Sequence, residues 1–174
     1  PGSFWQAHVK GPELLTSCVS EFAKLLNLDP EKQNLDLYSG AGLFSATLSA
    51  QFDGAKFLAV ESSKQAIADG ERSSHDLDNL RFHQADVLKF LRSQTAGTFD
   101  TIILDPPRSG AANKVVEQLI RLSPRNMIYV ACDPVALARD LKTLGDAGYN
   151  VKAMRAFDIF PHTHHFETVV ALAR

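Results

Sequence analysis

The chain has 174 residues, 45% of them hydrophobic and 22% charged, which suits a single folded domain with a full core. Its formal net charge of −2 gives no strong chain-wide grip on nucleic acid. No apolar stretch approaches the roughly eighteen residues of a membrane span, and two cysteines are too few for a disulfide framework, so a reducing, cytoplasmic setting with no membrane partner is expected.

After a short lead, Gly11-Pro12 opens an amphipathic helix reaching about Asn27. Leu14, Cys18, Phe22 and Leu26 recur on one face of it, and Leu15, Val19 and Ala23 widen that face. Cys18 is therefore expected to be a packed core thiol. The chain then alternates. Strand-like runs at 35–38, 56–60, 80–84, 101–104 and 127–131 are each followed by a helical pattern, at 43–51, 64–73, 87–91, 114–122 and 135–147. Such alternation implies parallel βαβ units. The last two strand-like runs, 150–159 and 167–172, are separated by only seven residues, too few for a parallel crossover, so they should pair antiparallel. The expected fold is α/β and Rossmann-like, of the class I methyltransferase plan: a seven-stranded, mostly parallel sheet with a C-terminal antiparallel pair, all in one domain spanning 1–174.

The first strand runs into Asp36-Leu37-Tyr38-Ser39-Gly40-Ala41-Gly42-Leu43-Phe44. Gly40 and Gly42 allow a tight turn and close approach of a ligand. Glu61 ends the next strand, nineteen residues after Gly42, where an acid can accept from both ribose hydroxyls. Asp86, after the third strand, is placed for an adenine amino group. Ser45 stands where a dinucleotide fingerprint has its third glycine, which favours S-adenosylmethionine over NAD.

Cys132 closes the fifth strand and is followed by Asp133-Pro134, an N-cap and first helical residue. The thiol should thus face a helix N-terminus, which favours the thiolate. The fourth strand ends in Asp105-Pro106-Pro107-Arg108, a stiff loop with few donors. Arg108 is placed either to meet a phosphate or to pair with an acid. His162, His164 and His165 lack the companion ligands a metal site needs, so no metal is expected and the loop is read as lining a pocket. Phe4 and Trp5 are stacking or core aromatics, and Arg139, Lys152 and Arg155 read as solvated.

Taken together, Phe4-Trp5-Gln6, the 36–42 turn, Asp105-Pro106-Pro107-Arg108, Tyr129-Val130-Ala131-Cys132-Asp133-Pro134 and the 160–167 segment resemble the RNA uracil-5-methyltransferase family, whose members form 5-methyluridine in tRNA or rRNA. The resemblance runs in order from Phe4 to the C-terminus. It implies an S-adenosylmethionine-dependent enzyme with Cys132 as nucleophile and Glu167 as general base. It also implies cofactor contacts from Gln6, Tyr38, Gly40, Gly42, Glu61, Asp86 and Asp105. Such enzymes generally carry N-terminal RNA-binding regions, so the chain is expected to be the catalytic part of a larger protein, binding its RNA weakly alone.

The sequence departs from the family at four points. Asp133 replaces an Asn, Ala131 a Ser, Leu43 an Asn, and His8 an Asn. An Asp beside the thiol is expected to oppose thiolate formation. Two other readings stay open from the sequence. RNA cytosine-5 methylation would place a second Cys in the fourth-strand motif, which has none, and a non-catalytic cofactor-binding module would need no nucleophile.

Overall fold

A computed structural model describes residues 11–158 and 166–174. The element order is α1 (Gly11–Leu25), β1 (Gln33–Leu37), α2 (Leu43–Gln51), β2 (Lys56–Glu61), α3 (Lys64–Ser73), β3 (Leu80–Gln84), α4 (Val87–Ser93), β4 (Phe99–Leu104), α5 (Asn113–Leu122), β5 (Asn126–Ala131), α6 (Pro134–Asp146), β6 (Asn150–Phe157) and β7 (Glu167–Ala173). Every expected strand and helix is present, with ends within the described residues shifted by up to two residues; Ile159, the expected last residue of the sixth strand, lies outside the described residues.

The strands form one sheet in the order β3-β2-β1-β4-β5-β7-β6. β1 to β5 are mutually parallel, and β7 inserts antiparallel between β5 and the edge strand β6. The order reverses between β1 and β4, and in such sheets ligands bind outside the C-terminal strand ends at the reversal.

Strict alternation along the strands splits the core into two layers. Leu35, Leu37, Ile102, Leu104, Met127, Tyr129, Val170 and Leu172 face α4, α5 and α6. Ile103, Ile128, Val130, Val169 and Ala171 face the other way, onto Leu15, Cys18, Val19 and Phe22 of α1 and Phe44 and Leu48 of α2. All six residues of β5 are buried, as a central strand covered on both faces must be. Cys18 is a packed core residue, and burial pushes its thiol up to about 11. Leu14 departs from its expected place: it is 41% exposed, because the buried stripe is set by Leu15, Val19 and Phe22.

Helix starts are fixed by side chains that satisfy first-turn N–H groups. Ser63 accepts from Ala66 N, Asp86 from Lys89 N at 2.9 Å, and Asp133 from Ala136 N at 2.7 Å. α2 has a glycine at its cap position, and a carboxylate from the sheet replaces the missing group: buried Asp36 accepts from Ser45 N at 3.0 Å. Among the described residues no helix is long and apolar enough to cross a membrane.

Candidate active site

Tyr38, Glu61, Asp86 and Asp105 lie at or just beyond the C-terminal ends of β1, β2, β3 and β4, and Cys132 directly follows β5. Glu167 starts the antiparallel β7 and so lies at the same sheet edge. Gln6 and the three histidines fall outside the described residues.

One half of this edge is a cradle. Tyr38 (φ +59°), Gly40 (φ +55°) and Gly42 (φ +81°) all take left-handed backbone conformations between β1 and α2. Such a conformation costs a tyrosine about 1–2 kcal/mol, a strain that tends to persist where function requires it. Gly42 is also fixed by packing, since a Cβ there would lie 2.8 Å from the ring of Phe82. Glu61 ties the turn to the next loop: one carboxylate oxygen accepts from Gly40 N at 3.2 Å, the other from Ser63 N at 2.7 Å and the Ser62 hydroxyl at 3.0 Å. Asp86 spends one oxygen on Lys89 N and is exposed. Burial, and then the charges of Asp86 and Asp140, push the Tyr38 phenol up to about 12. Ser39 Oγ and Asp36 Oδ1 are buried in this cradle without a hydrogen-bond partner among the described residues.

The other half holds the nucleophile candidate. The antiparallel register of β5 and β7 pairs Ala131 with Thr168, so one step further places Cys132 opposite Glu167. Cys132 is half-buried and lines a narrow crevice with Pro106, Pro107, Arg108, Tyr129 and Asp133. Glu167 is only 3% exposed, and its Oε2 has no hydrogen-bond partner among the described residues. Burial raises its carboxyl to about 7, partly offset by the Arg108 guanidinium. Half-buried Asp105 is raised to about 8 by desolvation, then by the charges of Glu167 and Asp36.

These charges correct two expectations. The Cys132 thiol is raised rather than lowered: burial raises it most, the carboxylates of Glu167 and Asp105 add to it, and Arg108 acts in the opposite sense. The acids that oppose the thiolate are thus Glu167 and Asp105. The Asp133 carboxylate is turned into the first turn of α6, where it caps Ala136 N.

Two expected surface cations are also engaged. Arg155 makes a two-pronged pair with Glu21, at 2.7 and 2.9 Å, and lies over the Phe22 ring. Arg139 pairs with Asp140, a fully buried acid the sequence reading did not single out. Asp140 shares a helical face with Ala136, Leu137 and Leu144, all buried, and a carboxylate in such a stripe is the signal that marks it.

Comparison with known proteins bears on the fold and the family. The family model described as tRNA (uracil-5-)-methyltransferase matches residues 16–174. An uncharacterized RNA methyltransferase of Streptomyces avermitilis is 42% identical over 174 residues, covering 98% of this chain and 39% of the relative. Another from Thermotoga maritima is 44% identical over 142 residues, covering 80% of this chain and 32% of the relative. The chain therefore spans well under half the length of these curated relatives. Among solved structures, the Pyrococcus abyssi tRNA (uracil-54, C5)-methyltransferase in complex with S-adenosyl-L-homocysteine superposes with a TM-score of 0.82 at 33% identity, over 99% of this chain and 41% of that one.

Proposed function

Because the chain belongs to the tRNA (uracil-5-)-methyltransferase family, we propose that it transfers a methyl group from S-adenosylmethionine to C5 of a uridine in tRNA or rRNA, through a covalent bond between Cys132 and C6. The observation that carries this reading is the pairing across β5 and β7, which sets a half-buried thiol opposite a buried carboxylate with an unpartnered oxygen.

The cradle fits the adenosyl cofactor. Its left-handed turn carries glycines that let a ligand come close to the backbone, and Glu61 and Asp86 offer acceptors at successive strand ends. Tyr38, Gly40, Gly42, Glu61, Asp86 and Asp105 would hold it, with Gln6 completing the set. When bound, S-adenosylmethionine supplies an electrophilic methyl group at its sulfonium.

Uracil C5 is a weak nucleophile, and the chain's own residues correct that. The Cys132 sulfur, as thiolate, adds to C6, and the C5=C6 electrons move into the ring carbonyl to give an enolate that is nucleophilic at C5. Once C5 carries the methyl group, Glu167 takes the remaining C5 proton. The C5–H electrons re-form C5=C6, and the C6–S bond breaks to release the thiolate. A carboxyl raised to about 7 is well matched to accept a proton near neutrality. Pro106, Pro107 and Arg108 wall the crevice, and Arg108 offers its charge to the thiolate and to Glu167. RNA presents its base extruded from the stack, as chemistry on a ring face requires. The net charge of −2 supports an RNA grip supplied mainly by parts of the protein outside these 174 residues.

The test is methylation of tRNA and rRNA transcripts, read as 5-methyluridine by nucleoside mass spectrometry. Cys132→Ala should retain cofactor binding and lose all product. Glu167→Gln should methylate C5 and then stall, accumulating a protein–RNA adduct with ordinary uridine. Product formation by Cys132→Ala at the wild-type rate would overturn the proposal.

A further inference from the structure

The buried acid Asp140 has no part in the chemistry above, yet it is among the most heavily engaged side chains of the structure. Its Oδ2 accepts from Ala111 N at 2.8 Å and from the Tyr129 hydroxyl at 2.7 Å, and its Oδ1 accepts from Arg139 Nε and a terminal guanidinium nitrogen at 3.0 and 2.8 Å. Arg139 in turn donates to Ser109 O at 2.9 Å. The three side chains therefore grip the loop after β4 on both sides of Gly110, whose own N–H closes a turn onto Pro107 O at 2.8 Å. The grip leaves no slack: a Cβ on Gly110 (φ +81°) would lie 2.6 Å from Arg139 and 2.7 Å from Asp140. One residue past Ala111, Ala112 is held at φ +61°, ψ 147°, a conformation that costs a non-glycine residue about 1–3 kcal/mol and persists only where the surroundings impose it.

The gripped loop carries Asp105, Pro106, Pro107 and Arg108, and the last three share the crevice with Cys132. The grip itself comes from Tyr129 in β5 and from α6, the two elements on either side of Cys132. We propose that Asp140, with Arg139 and Tyr129, is a positioning residue that fixes the 105–111 loop against the nucleophile and so holds Arg108 facing the Cys132 sulfur. Among the described residues, the charged groups acting on that sulfur are Glu167 from β7 and Asp105 and Arg108 from this loop. Arg108 is thus its favourable partner, and it stands on an exposed part of the loop that would otherwise be free to swing away. The proposal rests on Cys132 being the nucleophile only for its functional consequence; the thiol's surroundings can be read without RNA or cofactor.

The experiment is therefore alkylation of Cys132 by iodoacetamide as a function of pH, followed by peptide mass spectrometry, with buried Cys18 as an internal unreactive reference. In Asp140→Asn and in Tyr129→Phe, which removes a single hydroxyl, the profile should move up by about half a unit to one unit, making the reaction roughly three- to tenfold slower at pH 8. In an Arg108→Gln background the same substitutions should cause no further shift, because the charge they position is already gone. Should Asp140→Asn fail to fold, Tyr129→Phe alone decides. An unmoved profile, or shifts that add to that of Arg108→Gln, would overturn the proposal. With RNA, the same variants should lower kcat. Loss of methylation with an unmoved alkylation profile would refute the clamp while leaving the proposed function standing. A moved profile in a protein that methylates no RNA would do the reverse.

Discussion

Glu167→Gln should change stability as well as turnover, by an amount that depends on pH. The side chain is 3% exposed, and its carboxyl is raised from 4.5 to about 7. A folded state that holds a proton more tightly than the unfolded chain is most stable below the unfolded value. That stability is lost as pH rises through the folded value, here between about 4.5 and 7. A rise of this size corresponds to roughly 3 kcal/mol at about 1.4 kcal/mol per pH unit. Glutamine has nearly the shape of the protonated acid and does not titrate, so it escapes the loss. The two proteins should be close in stability at pH 4.5, and the variant should be more stable by about 3 kcal/mol at pH 8. In a domain of this size that is roughly 6–12 °C in Tm. Relief of the neighbouring Asp105, which Glu167 helps to raise, acts in the same direction. Urea unfolding of both proteins at the two pH values measures the difference. An equal gap at pH 4.5 and pH 8 would mean that the carboxylate is well solvated, and the argument for a base poised near neutrality would fail.

Other substitutions separate the cradle from the crevice. Gly42→Ala should destabilise the fold by about 1–2 kcal/mol and weaken cofactor binding, since the new methyl meets both a left-handed backbone and the Phe82 ring; unchanged urea midpoint and affinity would contradict this. Glu61→Ala removes the acceptor from Gly40 N and Ser63 N, and S-adenosylhomocysteine should bind at least about tenfold more weakly by calorimetry. Affinity equal to wild type would remove Glu61 from the cofactor site. Asp133→Asn keeps the helix cap and should leave the Cys132 alkylation profile within about 0.3 pH units, whereas Asp133→Ala should cost about 1 kcal/mol of stability. A large profile shift in the Asn variant would return Asp133 to the list of groups acting on the thiol.

The elements were legible because their patterns are unmixed: β5 reads as an apolar run closed by Cys-Asp-Pro, and Asp133 caps α6 as its type predicts. The closing antiparallel pair followed from the short span between its strands. Strand order was not readable from residues, since pairing β1 with β4 joins segments more than sixty positions apart. The positions of Tyr38, Glu61, Asp86, Asp105 and Cys132 followed from a simple rule, that each ends or follows a strand. Their electrostatics did not follow, because the charges on Cys132 come from Asp105, Arg108 and Glu167 on other elements. The helix terminus was the only influence visible locally in the sequence. Asp140 stands in the buried stripe of α6, a signal the sequence carries, but its partner on a loop 29 residues away follows only from the fold.

Trapping of RNA containing 5-fluorouridine addresses the sulfur–pyrimidine bond itself, because fluorine at C5 cannot be abstracted as a proton and the intermediate is held. With S-adenosylmethionine present, the protein should gain the mass of RNA plus one methyl group, with the linkage mapped to Cys132 and absent from Cys132→Ala. A protein that binds the cofactor and methylates uridine RNA, yet gives no adduct or one mapped to another residue, would contradict the account.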